Sequence, residues 1–348
     1  MRKKSANRQL KVLLALILAG LLGLAGLTIV VDPFFQYHAP LNGVNYVIDN
    51  QQSQNPGIAR NFEYDSVILG SSMTDNFDTL LFAQLLGLNT VKLSSNAAAP
   101  KDLSMLLEQV NRSDNEVKQV FLCIDTYSFE YALGEQIYEL PEYLYDENLF
   151  NDVSYLFNKD VLLDYILLPA FTGENTPINE AYWFWQNMSY GEEAVMSSYD
   201  IPETVSESVG RDFFADYISA NLQTYLLPYI ESMPDTVFTV FFPAYSVLHW
   251  NTEYAAGTWE AELDGTLQIL ETLLEYSNVE IYYFQDMTDF ITDLNHYSDA
   301  SHYSKEMNDY MTACFASGEH RLYTVEECRE AVEGMREFVS EMDVLVGS

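Results

Sequence analysis

The chain has 348 residues, with 52 Asp and Glu against 16 Lys and Arg and a formal net charge of −36. Five of the basic residues, Arg2, Lys3, Lys4, Arg8 and Lys11, precede residue 12, so the remainder sets eleven basic side chains against all 52 acidic ones. A field of that sign excludes nucleic acid and anionic lipid surfaces as electrostatic partners, because both need a basic footprint; it suits a neutral or cationic substrate, or plain solubility.

Residues 12–31 are twenty apolar or small residues without a charge, long enough to cross a bilayer as one helix. The basic residues stand before this run and Asp32-Pro33 follow it. The positive-inside bias therefore predicts a cytoplasmic segment over 1–11, a transmembrane anchor over 12–31, and an extracytoplasmic remainder. A cleaved signal peptide is the competing reading, but the run is longer than a typical signal core and no Ala-x-Ala site follows it.

Beyond the anchor, strand-like runs at 66–69, 90–93, 119–124, 237–242 and 279–284 alternate with helical patterns at 75–86, 101–111, 213–230 and 259–276. Such alternation predicts an α/β fold: a doubly wound, mainly parallel five-stranded sheet within one domain over 32–317. Between residues 127 and 210 the alternation stops and aromatic and acidic residues accumulate, as in Tyr143-Leu144-Tyr145-Asp146 and Tyr182-Trp183-Phe184-Trp185. This segment reads as a mainly helical insertion whose aromatics either form their own small core or face a sugar or acyl ligand. A closing helical segment is expected over 318–348. Cys123 falls in a strand and packs as a small hydrophobe, while Cys314 and Cys328 can pair or stay free.

Two short segments carry the chemistry. Ile68-Leu69-Gly70-Ser71-Ser72-Met73-Thr74 places Ser72 where the first strand hands over to a helix, and free N–H groups at such a turn favour an oxyanion. Near the other end, Asp299-Ala300-Ser301-His302 lets one turn of chain bring a carboxylate to one imidazole nitrogen, leaving the other to take a proton from Ser72. Strand ends at Ser94-Ser95-Asn96, Asp125 and Phe242-Pro243-Ala244-Tyr245-Ser246 should gather at the same rim. His249 is the rival base, without an acid at useful spacing. A metal reading of His296, Asp299 and His302 lacks a further His or Cys cluster, and Asp125 can equally cap the helix expected from Tyr127.

In these residues the chain resembles the SGNH or GDSL-like hydrolases, whose first block is Gly-Asp-Ser or a variant and whose last is Asp-x-x-His. Gly70-Ser71-Ser72 and Asp299-Ala300-Ser301-His302 match in order. The nearer likeness is to the membrane-anchored Gram-positive branch, including proteins similar to DltD, in which Gly-Ser-Ser replaces Gly-Asp-Ser. The middle blocks depart from the pattern: Leu93-Ser94-Ser95-Asn96 has no glycine, and Asp125 stands where an asparagine is usual. An ionised Asp125 would repel an oxyanion.

The resemblance implies a flavodoxin-like SGNH fold and a Ser72, His302, Asp299 triad. Ser95, Asn96, Asp125 and Tyr245 are the candidates for oxyanion or substrate binding. It implies a membrane-anchored esterase or O-acyltransferase working without a cofactor on an acylated surface glycan or teichoic-type polymer, with a membrane O-acyltransferase as an expected partner. The alternative is a non-catalytic polymer-binding or assembly subunit beside such an acyltransferase.

Overall fold

The computed structural model describes residues 2–347, with side chains from Asn7 to Gly347. Its N-terminal helix is Arg2–Val31. Within it, Asn7–Val31 is long and apolar enough to cross a membrane. A helix of that kind is a membrane span or a signal sequence. The side chains of Arg2, Lys3 and Lys4, on which the expected orientation partly rests, lie outside the described residues.

The chain forms two compact units: Met1–Phe62 with Pro141–Pro177, and Glu63–Leu140 with Ile178–Ser348. The central part of the segment 127–210 therefore groups with the N-terminal residues. The reason is a knot around Asp32, where the chain leaves the helix with φ 47°. The buried Asp32 carboxylate accepts the N–H groups of Gln36 (3.0 Å), Tyr37 (2.6 Å) and His38 (3.1 Å) and the hydroxyl of Tyr155 (2.8 Å). Tyr37 in turn donates to Asp152 at 2.8 Å. A buried carboxylate is tolerated only when its oxygens are satisfied in this way, so the segment around Tyr155 is bound to the helix exit.

The second unit is built on a sheet of β1 (Ser66–Gly70), β2 (Thr90–Ser94), β3 (Gln119–Cys123), β4 (Val237–Phe242), β5 (Val279–Tyr283) and β6 (Arg321–Leu322). The strand order is β2-β1-β3-β4-β5-β6. The first five are parallel, with Leu69 between Leu93 and Leu122, and β6 runs antiparallel on β5. The sheet thus has six strands, where the sequence predicted five. A two-residue strand carries no periodicity to read, and β6 lies within the segment expected to be helical over 318–348. The helix there starts only at Val325 and runs to Glu341.

β1 is buried along its whole length, which explains an apolar run rather than an alternating one. On one side of the sheet Phe82 meets Phe121 edge to face, and Phe315 packs at a tilt on Phe121 and Phe241, with ring centroids 4.8 to 5.3 Å apart. The segment expected as one helix over 213–230 is instead Ala215–Asn221, a π-helical turn Leu222–Leu226, and Leu227–Ser232. Pro228 accounts for the break: its ring would clash with the carbonyl four residues back, and the wider turn makes room. Pro169 follows the π-helical Val161–Leu167 in the first unit in the same way. All three cysteines are buried free thiols.

Candidate functional site

In the order 2-1-3-4-5 the crossovers reverse direction between β1 and β3, which makes the carboxyl ends of these strands the switch point where sheets of this kind bind ligands. Ser72 follows β1 at this point and begins a short 3-10 turn, Ser72–Thr74, while Ser71 caps the turn by accepting the Met73 N–H at 3.3 Å. Gly70 is required for close approach. A Cβ there would lie 2.5 Å from Cys123 Cβ and 2.7 Å from Thr74 Cγ2. Gly70→Ala is therefore expected to cost about 1–3 kcal/mol through overpacking, read as a lower midpoint in chemical denaturation at unchanged slope.

His302 sits in a loop closed by the Tyr297–Tyr303 bridge and by Ser298 N–H donating to His302 O at 2.9 Å. Its Nε2 is 2.8 Å from Ser72 Oγ, and its Nδ1 is 2.7 Å from Asp299 Oδ2. The other Asp299 oxygen accepts the N–H groups of Ser301 and His302, each at 2.8 Å. Burial alone would raise the Asp299 pKa, but these bonds and the imidazole bring it below the ordinary carboxylate value. Burial alone would lower that of His302; the hydrogen bond and charge of Asp299, with Asp75 and Asp125 nearby, raise it instead. The neutral imidazole thus donates from Nδ1 to Asp299 and accepts at Nε2 from the half-buried Ser72 hydroxyl.

Several contacts that spacing did not indicate hold the two segments in register. Asn308 Nδ2 donates to Met73 O at 3.1 Å from the helix Lys305–Ser317, and Ser246 Oγ donates to Ala300 O at 2.6 Å from the end of β4. Lys92, buried in β2, donates to Asp75 O at 2.6 Å, and burial lowers its pKa to about 7. Phe184 meets the His302 ring edge to face at 5.5 Å. Its neighbour Trp183 donates to Phe77 O at 3.0 Å. Of the two aromatic clusters noted in the sequence, then, Tyr182–Trp185 stands beside this site, whereas Tyr143–Asp146 belongs to the other unit.

The remaining candidates are placed differently from expectation. The Ser95 N–H, expected as an oxyanion donor, is taken by Gly70 O at 2.9 Å, because β2 continues its ladder past Ser94. Asn96 is exposed in the turn that follows, where Ala97 adopts φ 49°. Among the described residues no acceptor takes the Ser72 N–H. Asp125 stands at the N-cap of Thr126–Phe129 but makes no side-chain cap bond. Its carboxyl is buried instead, accepting from the Tyr245 hydroxyl, and burial raises its pKa against the opposing hydrogen bonds of Tyr245 and Ser71. Burial thus works against the ionised form whose repulsion of an oxyanion the sequence implied.

His249 does have an acid. Its Nε2 lies 3.0 Å from Glu262 Oε1, thirteen residues on and on the next long helix, Trp259–Leu273. Glu262 is fully buried and Glu130 lies close enough to feel its charge. Burial first, then the charges of Glu262 and Glu253, push Glu130 up to about 9. The folded state therefore holds a proton that the unfolded chain releases from about pH 4.5, so this group's stabilisation is lost as pH rises towards 9. Glu130→Gln, which mimics the protonated acid, is expected to raise Tm at pH 8–9 and leave it little changed at pH 5, as followed by thermal denaturation across pH. Among the described residues no group of three or more His, Cys, Asp or Glu could hold a metal ion.

The chain matches no known family model and no curated protein. Among solved structures it is similar to one described as "a putative platelet activating factor from Streptococcus pneumonia", with 12% identity and a TM-score of 0.39 over 77% of this chain and 90% of that one. A superposition that loose carries no conclusion about activity.

Proposed function

We propose that the chain is a membrane-anchored, SGNH-like serine esterase or O-acyltransferase whose second unit acts outside the cytoplasm on acyl esters of a cell-envelope glycan or teichoic-type polymer. The observation that carries this reading is the unbroken relay from Ser72 Oγ through His302 to Asp299, at 2.8 and 2.7 Å. The order of its residues is that of the family the sequence resembles.

In this reading Ser72 Oγ attacks the ester carbonyl carbon while its proton passes to His302 Nε2. Asp299 holds the ring and stabilises the imidazolium. The Ser72 N–H would donate to the oxyanion, with Asn96 at the β2 turn as the second candidate donor. Collapse breaks the ester bond, and the departing alkoxide takes the proton from Nε2. Water or a sugar hydroxyl then attacks the acyl-enzyme, giving its proton to the same nitrogen and releasing Ser72. Phe184 packs perpendicular to the imidazole and would help to hold its orientation.

The engaged Ser95 N–H favours a second reading, a polymer-binding or assembly subunit without turnover beside a membrane acyltransferase. Covalent labelling by a fluorophosphonate separates the two. The catalytic reading expects labelling of the full-length protein in detergent that is lost in His302→Ala. A folded protein that stays unlabelled, where a control serine hydrolase reacts, would leave only the assembly role.

A further inference from the structure

The first unit carries an apolar surface that its own fold does not cover. Phe150 is 93% exposed and Phe171 86%, and Leu149, Val153, Phe157 and Leu168 are exposed as well. Isolated exposed apolar residues are ordinary in soluble proteins, but these six large ones within a stretch of some twenty residues, two of them phenylalanines more than 80% exposed, point to a contact. The helical stretch Val161–Thr172 is itself apolar, though too short to span a bilayer.

What tells the occupant is where this surface is fastened. Thr28, in the last turn of the N-terminal helix, donates to Leu156 O at 3.2 Å. Tyr155 bonds to Asp32 at 2.8 Å, and Asp152 to Tyr37 at 2.8 Å. Residues 149–157 are thus tied to the helix exit at three points, and Val161–Leu167 packs on the same helix. The uncharged run 12–31 of this helix is about 30 Å long at 1.5 Å per residue, which matches about 30 Å of hydrocarbon and puts Thr28 one turn inside its outer end. If its apolar length is centred in the bilayer, Thr28 lies near the boundary of hydrocarbon and headgroups, and whatever is fastened to Thr28 lies there too.

We propose that residues 149–171 form a second membrane contact, with Phe150 and Phe171 inserted at the acyl–headgroup boundary of the leaflet from which the N-terminal helix emerges. This rests on the anchor reading of that helix. The attraction is apolar and needs no basic footprint, so the acidity of the chain does not oppose it in a zwitterionic bilayer. Of the four charged residues between the two ends of the patch, Lys159 and Asp160 pair with each other at 3.3 Å, Asp152 is buried against the Tyr37 hydroxyl, and Asp164 is exposed and must face the headgroups. The consequence for function is that the first unit is held at the membrane by more than one helix, and its orientation there is restricted.

The three native cysteines are buried, so nitroxide labels can be attached to single introduced cysteines in the full-length protein. Leu18→Cys, Phe150→Cys and Phe171→Cys would be reconstituted in phosphatidylcholine vesicles and their collision rates with oxygen and with a water-soluble nickel chelate compared. The inference expects all three labels to favour oxygen, with Leu18→Cys deepest. Labels at 150 and 171 that favour nickel while Leu18→Cys favours oxygen would overturn the second contact and leave the anchor standing. A nickel preference at all three would overturn the anchor and this inference with it. Dipolar broadening at 150 or 171 that grows with protein density would assign the patch to a second copy of the chain, and so overturn the lipid assignment.

Discussion

Replacement of Ser72 by alanine should lower kcat for a small acetyl ester by roughly 10⁴- to 10⁶-fold, with the protein folded and its KM little changed. The size follows from the arrangement. Ser72 is the hydroxyl that His302 Nε2 reaches, at 2.8 Å, and the neighbouring Ser71 cannot stand in because its side chain caps the turn. Ser72 is half-buried and the change removes only a hydroxyl, so stability should move little. Initial rates for the full-length protein in detergent, together with a thermal melt, make the comparison. Turnover in Ser72→Ala within tenfold of wild type would rule out Ser72 as nucleophile.

Asp299→Asn should produce the second largest loss, about 10⁴-fold in kcat, together with a displaced pH profile. Asp299 accepts from His302 Nδ1 at 2.7 Å and so selects the tautomer whose Nε2 can take the Ser72 proton; an amide at that position can present its N–H and hold the wrong tautomer. The direction of the pH shift can be worked out. The base must be neutral, so wild-type kcat/KM should rise with pH through the His302 pKa, which lies above 6.5 because Asp299 outweighs burial. Removing the Asp299 charge leaves burial as the dominant influence, so the residual activity of the variant should reach half its plateau at lower pH than wild type. A rate profile over pH 5–9 for both proteins reads the two effects at once. An unshifted limb in Asp299→Asn would show that Asp299 does not set the imidazole's protonation.

The parts of this site that were legible in the sequence are the local ones. An acid and a histidine three residues apart can meet within one turn whatever surrounds them, and Asp299 and His302 do so here. A serine in a small-residue turn after an apolar strand stands at the carboxyl edge of the sheet, as Ser72 does. The donors and neighbours were not legible. Whether the Ser95 N–H was open depended on the register of β2 against β1, which ran one hydrogen bond beyond the expected end of the strand. His249 looked unpartnered because its acid, Glu262, lies on another helix. Asp125 was read through its charge, whereas burial raises its pKa and the Tyr245 hydroxyl, donating to it, opposes that shift.

By itself the sequence determined the mixed α/β alternation, the single apolar helix at the N-terminus, and the turns that carry Ser72 and Asp299-His302, because each follows from periodicity or spacing within a few residues. Tertiary structure alone decided the sixth strand, the grouping of Pro141–Pro177 with the N-terminal residues, the protonation of the buried acids, and which backbone N–H groups at the rim are already taken. These depend on which distant side chains are brought together and how much water is removed around them. Solvation and long-range pairing are properties of the packed molecule, and no short window of residues contains them.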